Sequence, residues 1–361
     1  MKIVIFGGGL QGLVIANNLR AREEKPEIII ADIVRPAGLA EDSPIKWVKA
    51  DVLQADQVKA LVSGASACVL AVPSSIAHQA LANIIACGVP VADVSFTPDP
   101  PLSLSDAARK NGSCCIVDCG VAPGLSHILV GHAYKQLSGL DKVTILVGGM
   151  PQKPPAVFHH AVYFNPCDLL AEYVRPARAR TKGKDIAPHP LEAPIEPYHD
   201  SDLGAIESFL SDGLRSLVTS FPDVPCMEER TLRWQGHLRT MKDLNELGFF
   251  LEGMLPNTAQ SINNKYPGKD FPDYLLMVVE AEKGSRKLAW RLLDKETDGV
   301  SAMSRTTGFT TAAVAMVLAR GQFKEPGVHP PEVLGQNAAM VELILADLAE
   351  RGVKTKELVN T

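Results

Sequence analysis

The sequence predicts an α/β protein: a parallel sheet wrapped by helices at the start, a mixed α+β domain in the middle and helices at the end. Three observations carry the prediction. Roughly the first 120 residues alternate short, continuous apolar runs with amphipathic helical patterns, as strands do when helices cover both sheet faces. After Asp118 the alternation stops, and strand-like runs come with long polar excursions. The last 55 or so residues return to helical periodicity.

Taken in order, the chain opens on an apolar β-branched run at residues 2–6, followed by glycines at Gly7, Gly9 and Gly12. Leu10, Leu13 and Val14 then fall at i, i+3 and i+4, one buried helix face. This is the dinucleotide-binding turn of a Rossmann-type sheet. Gly7 permits the tight turn, Gly9 lets the backbone approach a diphosphate, and Gly12 lets the helix lie close on the strand. The helix start, with Leu10 and Gln11, faces the phosphate charge. The second strand, residues 27–32, ends on Asp32, twenty residues past Gly12. A carboxylate there accepts hydrogen bonds from the ribose hydroxyls and repels a 2′-phosphate, so NAD is favoured; Arg35 keeps NADP open.

A third strand covers residues 46–50 and leads to Asp51. The next helix has Val58, Leu61 and Val62 on one face, and a fourth strand at 67–72 stops at Pro73. Asp51, Val72 and Pro73 sit at strand ends and join the expected cofactor-binding residues. A helix through Ala77, Ala80, Leu81, Ile84 and Ile85 is capped by Gly88. Strands follow at 89–94 and 114–117.

In the middle of the chain, residues 143–151 read as a strand ending in a turn, and 157–164 as a strand-like run mixing histidines and aromatics. Residues 176–199 read as a hairpin or lid, and 226–237 and 274–293 as further strands. Helices at 311–320 and 337–350 are expected to pack back on the first domain. The resulting division is a dinucleotide-binding domain at 1–120 plus 305–361, and a substrate-binding and dimerisation domain at 121–304.

Composition narrows the function. A length of 361 residues and 46% hydrophobic content fit about two domains of ~150 residues each. The net charge of −5 comes with scattered Lys and Arg, so no nucleic acid partner is expected. No run approaches the ~20 apolar residues of a membrane span, and the N-terminus has no signal-peptide layout. The seven cysteines are odd in number and form no CxxC pair; they read as reduced core thiols of a cytoplasmic protein. Cys114, Cys115 and Cys119 fit no zinc spacing. His159 and His160, adjacent in a strand, would point to opposite faces. No metal site is expected.

By these residues the chain resembles the saccharopine dehydrogenase-like family, in its saccharopine reductase and lysine 6-dehydrogenase branch. The matches are the glycine turn, Val94-Ser95-Phe96, the stretch from Asp118 to His127 (DCGVAPGLSH), Val147 to Pro151 (VGGMP), Glu172 to Lys184, Thr231 to His237 (TLRWQGH), Thr307-Gly308-Phe309 and Pro326 to Glu332. The resemblance implies a cofactor domain built from both chain ends, a central domain whose sheet makes a homodimer, and oxidation of an amine carbon by hydride transfer to a nicotinamide. It also implies that Ser95, Gly148, Gly149 and Met150 lie against an amino acid substrate. Where saccharopine reductases carry acidic residues in the Val-Gly-x-x-Pro-Gly-x-x-His loop, this chain has Ala122 and Ser126. With Asp32, that loop looks more like lysine 6-dehydrogenase, which oxidises the terminal amine of L-lysine.

The chemistry needs a cation for the substrate carboxylate and a group to take the ammonium proton. Arg233 is the carboxylate clamp, since its fork matches two carboxylate oxygens; strand alternation places it with Trp234 and His237. The proton carrier is drawn from Asp93, Asp118 and His237, with His127 or an ordered water behind them. Asp93 and Asp118 each follow an apolar strand, where burial raises a carboxyl pKa. Competing readings are a saccharopine reductase, a carboxylated polyamine dehydrogenase and a non-catalytic NAD-binding sensor. The stretch Ala92-Asp93-Val94-Ser95 lacks the Glu-Lys-Pro of sugar oxidoreductases, and Cys119 lacks a partner base for semialdehyde dehydrogenase chemistry.

Overall fold

The structure, a computed structural model, describes residues 1–97 and 100–358. The chain divides into two compact units. One comprises residues 1–131 and 304–352; the other comprises 132–303 and the stretch from 353 onward.

In chain order, the first unit begins with β1 (Lys2–Phe6), α1 (Leu10–Arg20), β2 (Glu27–Asp32), β3 (Lys46–Lys49), α2 (Ala55–Val62) and β4 (Ala67–Leu70). It continues with α3 (Ser74–Ile85), β5 (Val91–Asp93), α4 (Ser105–Asn111) and β6 (Cys114–Ile116), and α5 (Leu125–Leu137) leads out of it. The central region holds β7 (Lys142–Pro151), α6 (Pro166–Ala171), β8 (Ala179–Thr181), β9 (Lys184–Ile186), β10 (Glu196–Asp200), β11 (Gly204–Leu210) and α7 (Leu217–Ser220). Next come β12 (Cys226–Trp234), α8 (His237–Glu246), α9 (Leu255–Lys265), β13 (Asp273–Lys283) and β14 (Arg286–Lys295). The chain closes with α10 (Ala302–Ala319), β15 (Gly327–His329), α11 (Glu332–Gly335), α12 (Ala338–Glu350) and β16 (Thr355–Glu357).

The first unit's sheet has the order β15-β6-β5-β4-β1-β2-β3, and every pairing in it is parallel. Its central strands are apolar on both faces, β1 being buried from Ile3 to Phe6 and β4 throughout, whereas the edge strand β3 is largely exposed. Strand order reverses between β1 and β4, the switch point beside which open α/β sheets bind ligands. The chain returns to this sheet near its end to add β15 at the edge. Helices α10 and α12 also belong to this unit. Gly308 of α10 faces Val14 and Gln11 of α1 so closely that a Cβ would lie 2.9 Å from Val14.

The second unit carries a mixed sheet ordered β10-β11-β12-β7-β13-β14-β16, with the β8–β9 hairpin paired to β12. Here β12 and β7 are parallel and the other pairs antiparallel. The hairpin turns through Lys182 and Gly183, both at positive φ, the turn geometry that matches strand twist. It falls within the stretch expected to be a hairpin or lid.

Five expectations need correction. Residues 143–151 do not end in a turn: β7 runs straight through Gly148 and Gly149 to Pro151, paired to β13 along its length. Residues 157–164 are not a strand. They are irregular apart from one isolated bridge, Val162 to Pro267, and His159 sits at φ +55°. Helix α10 begins at Ala302, well before residue 311: the Asp273 carboxylate accepts from the Ala302 and Met303 amides at its start, and Thr310 and Thr311 donate within the helix to the carbonyls of Thr306 and Thr307. The C-terminal strand β16 pairs with β14 and so belongs to the second unit, not to the one formed by residues 305–361. The first unit also extends past residue 120. Gly131 of α5 lies against α11, where a Cβ would meet the Glu332 carbonyl at 2.2 Å.

Candidate active site

In the first unit, the turn after β1 is shaped by contact. Gly7 has φ +101°, and a Cβ there would lie 2.1 Å from the Ala71 carbonyl oxygen. A Cβ at Gly12 would lie 2.0 Å from the Gly7 carbonyl oxygen, so α1 rests directly on the turn. At Gly9 nothing lies within 4 Å of the position a Cβ would take, and α1 starts there without a side-chain cap. That open space beside an uncapped helix start suits a diphosphate. Leu10 is exposed, and the Gln11 Oε1 is buried with no hydrogen-bond partner among the described residues. Asp32 accepts from the Gly8 amide at 2.6 Å and, through its other oxygen, from the Val34 amide at 3.0 Å. Its carboxylate is thereby held at the β2 end. Arg35 lies over the Trp47 ring, and its guanidinium donates to the Ala40 carbonyl.

Along the same edge, the Val72 amide donates to Ser95 Oγ at 3.1 Å, and the Ser95 amide donates to Asp93 Oδ1 at 2.8 Å. The Cys119 amide donates to the Asp93 carbonyl, which brings Asp118, at φ +53°, next to the same strand end. Asp93, Ser95 and Asp118 are all buried. Val72, Ser95, Asp93 and Asp118 thus form one cluster where β4, β5 and β6 end. Pro73 caps α3. Asp51 holds a local turn, accepting from the Leu53 amide at 2.9 Å. His127 is fully buried and shares a 3.0 Å hydrogen bond with Ser126. Burial pushes the Cys114 and Cys115 thiols up to about 12 and the Cys119 thiol well up, so the protonated thiol is favoured in all three. Among the described residues no group of three His, Cys, Asp or Glu side chains is placed to hold a metal ion.

In the second unit, Arg233 is buried on β12 within a defined network. Its Nε donates to the Tyr173 hydroxyl at 2.9 Å, Nη1 to the Leu232 carbonyl at 3.0 Å, and Nη2 to Glu172 at 2.8 Å. The Tyr173 hydroxyl, already an acceptor, donates to His237 Nε2 at 2.8 Å, and His237 Nδ1 donates to the Phe158 carbonyl at 2.7 Å. Both ring nitrogens of His237 are therefore used. Burial, reinforced by the Arg233 charge, lowers its pKa to about 3. So held, His237 is a neutral prop for Tyr173 and, through it, for Arg233. Trp234 does not join them. It points to the other face of β12, as strand alternation requires, and donates to the Pro151 carbonyl.

Gly148, Gly149 and Met150 lie on β7. A Cβ at Gly148 would strike the Leu232 carbonyl at 2.3 Å, and one at Gly149 would lie 2.6 Å from Met303 Cε; Met150 is fully buried. Glu172, Tyr173, His160 and Tyr163 carry no role in the sequence reading, although they crowd this region. The usable signal was the adjacency of an acid and a tyrosine at 172–173.

Comparison with known proteins agrees with this architecture. The chain is 24% identical, over 99% of its length and 98% of the relative's, to a carboxyaminopropylagmatine dehydrogenase from Synechocystis sp.. Its fold is similar to that of saccharopine dehydrogenase (L-Glu forming) from Saccharomyces cerevisiae, with a TM-score of 0.79 at 15% identity, covering 99% of this chain and all of that one. The model of the saccharopine dehydrogenase C-terminal domain matches residues 120–353, well over half the chain. With that match, and with a parallel nucleotide-type sheet preceding it, the chain belongs to the saccharopine dehydrogenase family.

Proposed function

We propose that the protein is a nicotinamide-dependent dehydrogenase of an amine-bearing amino acid, with NAD as the favoured cofactor and the terminal amine of L-lysine as the leading substrate. As a member of its family it is an oxidoreductase acting on amino or amine substrates. The observation that carries the cofactor reading is the opening of α1, where empty space at Gly9 adjoins an uncapped helix start and a carboxylate held at the β2 end.

Gly7, Gly9, Leu10, Gln11 and Gly12 would hold the diphosphate and Asp32 the ribose, with Asp51, Val72 and Pro73 at the neighbouring strand ends. A bound nicotinamide dinucleotide supplies the hydride acceptor. The chain's own residues do the rest. Asp93 and Asp118, buried at the ends of β5 and β6, take the proton of the substrate ammonium, beside the hydroxyl of Ser95. Arg233 anchors the substrate carboxylate. Five N–H donors belong to a guanidinium; three are engaged within the protein, which leaves two for a ligand. Gly148 and Gly149 keep β7 bare of side chains on either face. Loss of hydride leaves an iminium on the substrate, which water hydrolyses to the carbonyl.

A second reading, a carboxylated polyamine as substrate, is favoured by the end-to-end likeness to the carboxyaminopropylagmatine enzyme. One experiment addresses all readings: near-ultraviolet absorbance of reduced nicotinamide with NAD or NADP, at alkaline pH, across L-lysine, saccharopine and carboxylated polyamines. Turnover with one of them is expected. Nucleotide binding without reduction by any amine would make the protein a sensor. Asp32→Ala should weaken NAD by roughly 10- to 100-fold, the worth of a charged hydrogen bond, and leave NADP nearly unchanged. Equal loss of both would remove Asp32 from the ribose.

A further inference from the structure

The irregular segment at 157–164 delivers two polar side chains into the interior of the second unit. The ring of Tyr163 lies in a slot lined by glycine: a Cβ at Gly268 would lie 2.8 Å from its Cδ1, and one at Gly149 would lie 3.9 Å from its Cδ2. Its hydroxyl is buried without a hydrogen-bond partner among the described residues, and so is Nδ1 of His160, which is 2% exposed. The two rings are 5.9 Å apart, and His160 is 5.1 Å from His237, the prop of Tyr173 and Arg233.

Burial, then the Arg233 charge and the neighbouring His237, hold His160 well below the usual imidazole range. Burial, then Asp273 and Glu296, push Tyr163 up, against a smaller pull from Arg233. Both groups are therefore neutral at working pH and both have a hydrogen to give. Buried polar groups in native proteins are nearly always paired, since an unpaired one is costly. Both feel the Arg233 charge, and His160 reaches that guanidinium through His237 and Tyr173; with two unused N–H donors on Arg233, the set matches one ligand group: a carboxylate, which accepts only and carries the charge opposite to Arg233.

We propose that Tyr163 and His160 are substrate-positioning residues that, together with Arg233, seat a carboxylate of the substrate. The inference rests on the dehydrogenase reading above and extends it to residues of the irregular segment. Discrimination between acid and amine follows: a substrate keeping its carboxylate uses the seat, and its decarboxylated counterpart does not.

The test compares wild type, Tyr163→Phe, His160→Ala and His160→Asn, the last keeping an N–H near Nδ1. The probes are L-lysine, L-glutamate and an N-carboxyalkyl diamine, each beside its decarboxylated counterpart, read by calorimetric titration of the NAD-loaded protein and, where turnover occurs, by KM and kcat. Tyr163→Phe and His160→Ala should weaken the bound carboxylate about tenfold with kcat within about twofold, His160→Asn should restore most of the loss, and the decarboxylated probes should show no change. Unchanged binding, equal weakening of both probe classes, or no carboxylate bound by the wild type would each overturn the seat. Wild type that oxidises an amine while Tyr163→Phe changes nothing sinks the seat and spares the dehydrogenase. Wild type that binds a carboxylate through Tyr163 yet reduces no nicotinamide does the reverse.

Discussion

Glu229 shows how much one side chain in the second unit governs. It lies buried on β12 with its carboxyl flat against Gly213, where a Cβ would fall 1.6 Å from Oε1, and its Oε2 has no hydrogen-bond partner among the described residues. Burial first, then Glu172 and Asp212, raise its pKa to about 8, against the pull of Arg175. A carboxyl raised from its ordinary 4.5 binds more protons folded than unfolded, so stability is full below that value and declines as pH rises to about 8. Glu229→Gln should flatten this decline and raise the unfolding free energy at pH above 8 by about 1–3 kcal/mol, as read by urea denaturation across pH. An unaltered pH profile would show the carboxyl to be solvated. Arg233, on the same strand, was legible from residue chemistry alone. Its partners Glu172 and Tyr173 were not, because they lie sixty residues upstream and meet it only in the folded second unit.

Among the elements, α1 is where sequence and contact agree most closely. The spacing of Gly7, Gly9 and Gly12 assigns each a task, and the contacts match: a strand-to-helix turn at Gly7, open space at Gly9 and a helix seated on the turn at Gly12. Gly12→Ala should push α1 off β1, lower stability by about 1–3 kcal/mol or more and abolish nucleotide binding, measured by urea midpoint and by NAD titration. Retained NAD affinity would mean that the nucleotide does not use this turn. The segment at 157–164 failed to follow its pattern for an equally local reason. Its alternation of apolar and polar side chains resembles a strand, but only Val162 finds a bridge, and His159 takes a left-handed conformation that breaks any ladder. The polar atoms that a strand would have sent to solvent are turned inward.

At the scale of the whole molecule, the first unit depends on residues more than three hundred positions apart. Arg22, just past α1 and nearly sealed from solvent, forms an ion pair with Asp347 of α12 and donates to Asn18 at 2.9 Å. Removing one partner of such a pair leaves a buried charge unmatched. Asp347→Ala should therefore cost about 3–5 kcal/mol, visible as an earlier thermal transition; a loss below about 1 kcal/mol would mean that Arg22 finds water instead.

The sequence by itself determined the parallel sheet, the glycine cradle, Asp32 at the end of β2 and the helical ends, because strand and helix periodicity and turn chemistry are properties of near neighbours. Tertiary structure alone decided that β16 joins the second sheet, that His237 props Tyr173, and that the Tyr163 hydroxyl and His160 Nδ1 end up buried without partners among the described residues. Those outcomes depend on which distant segments share a register or a core, and no local pattern encodes that.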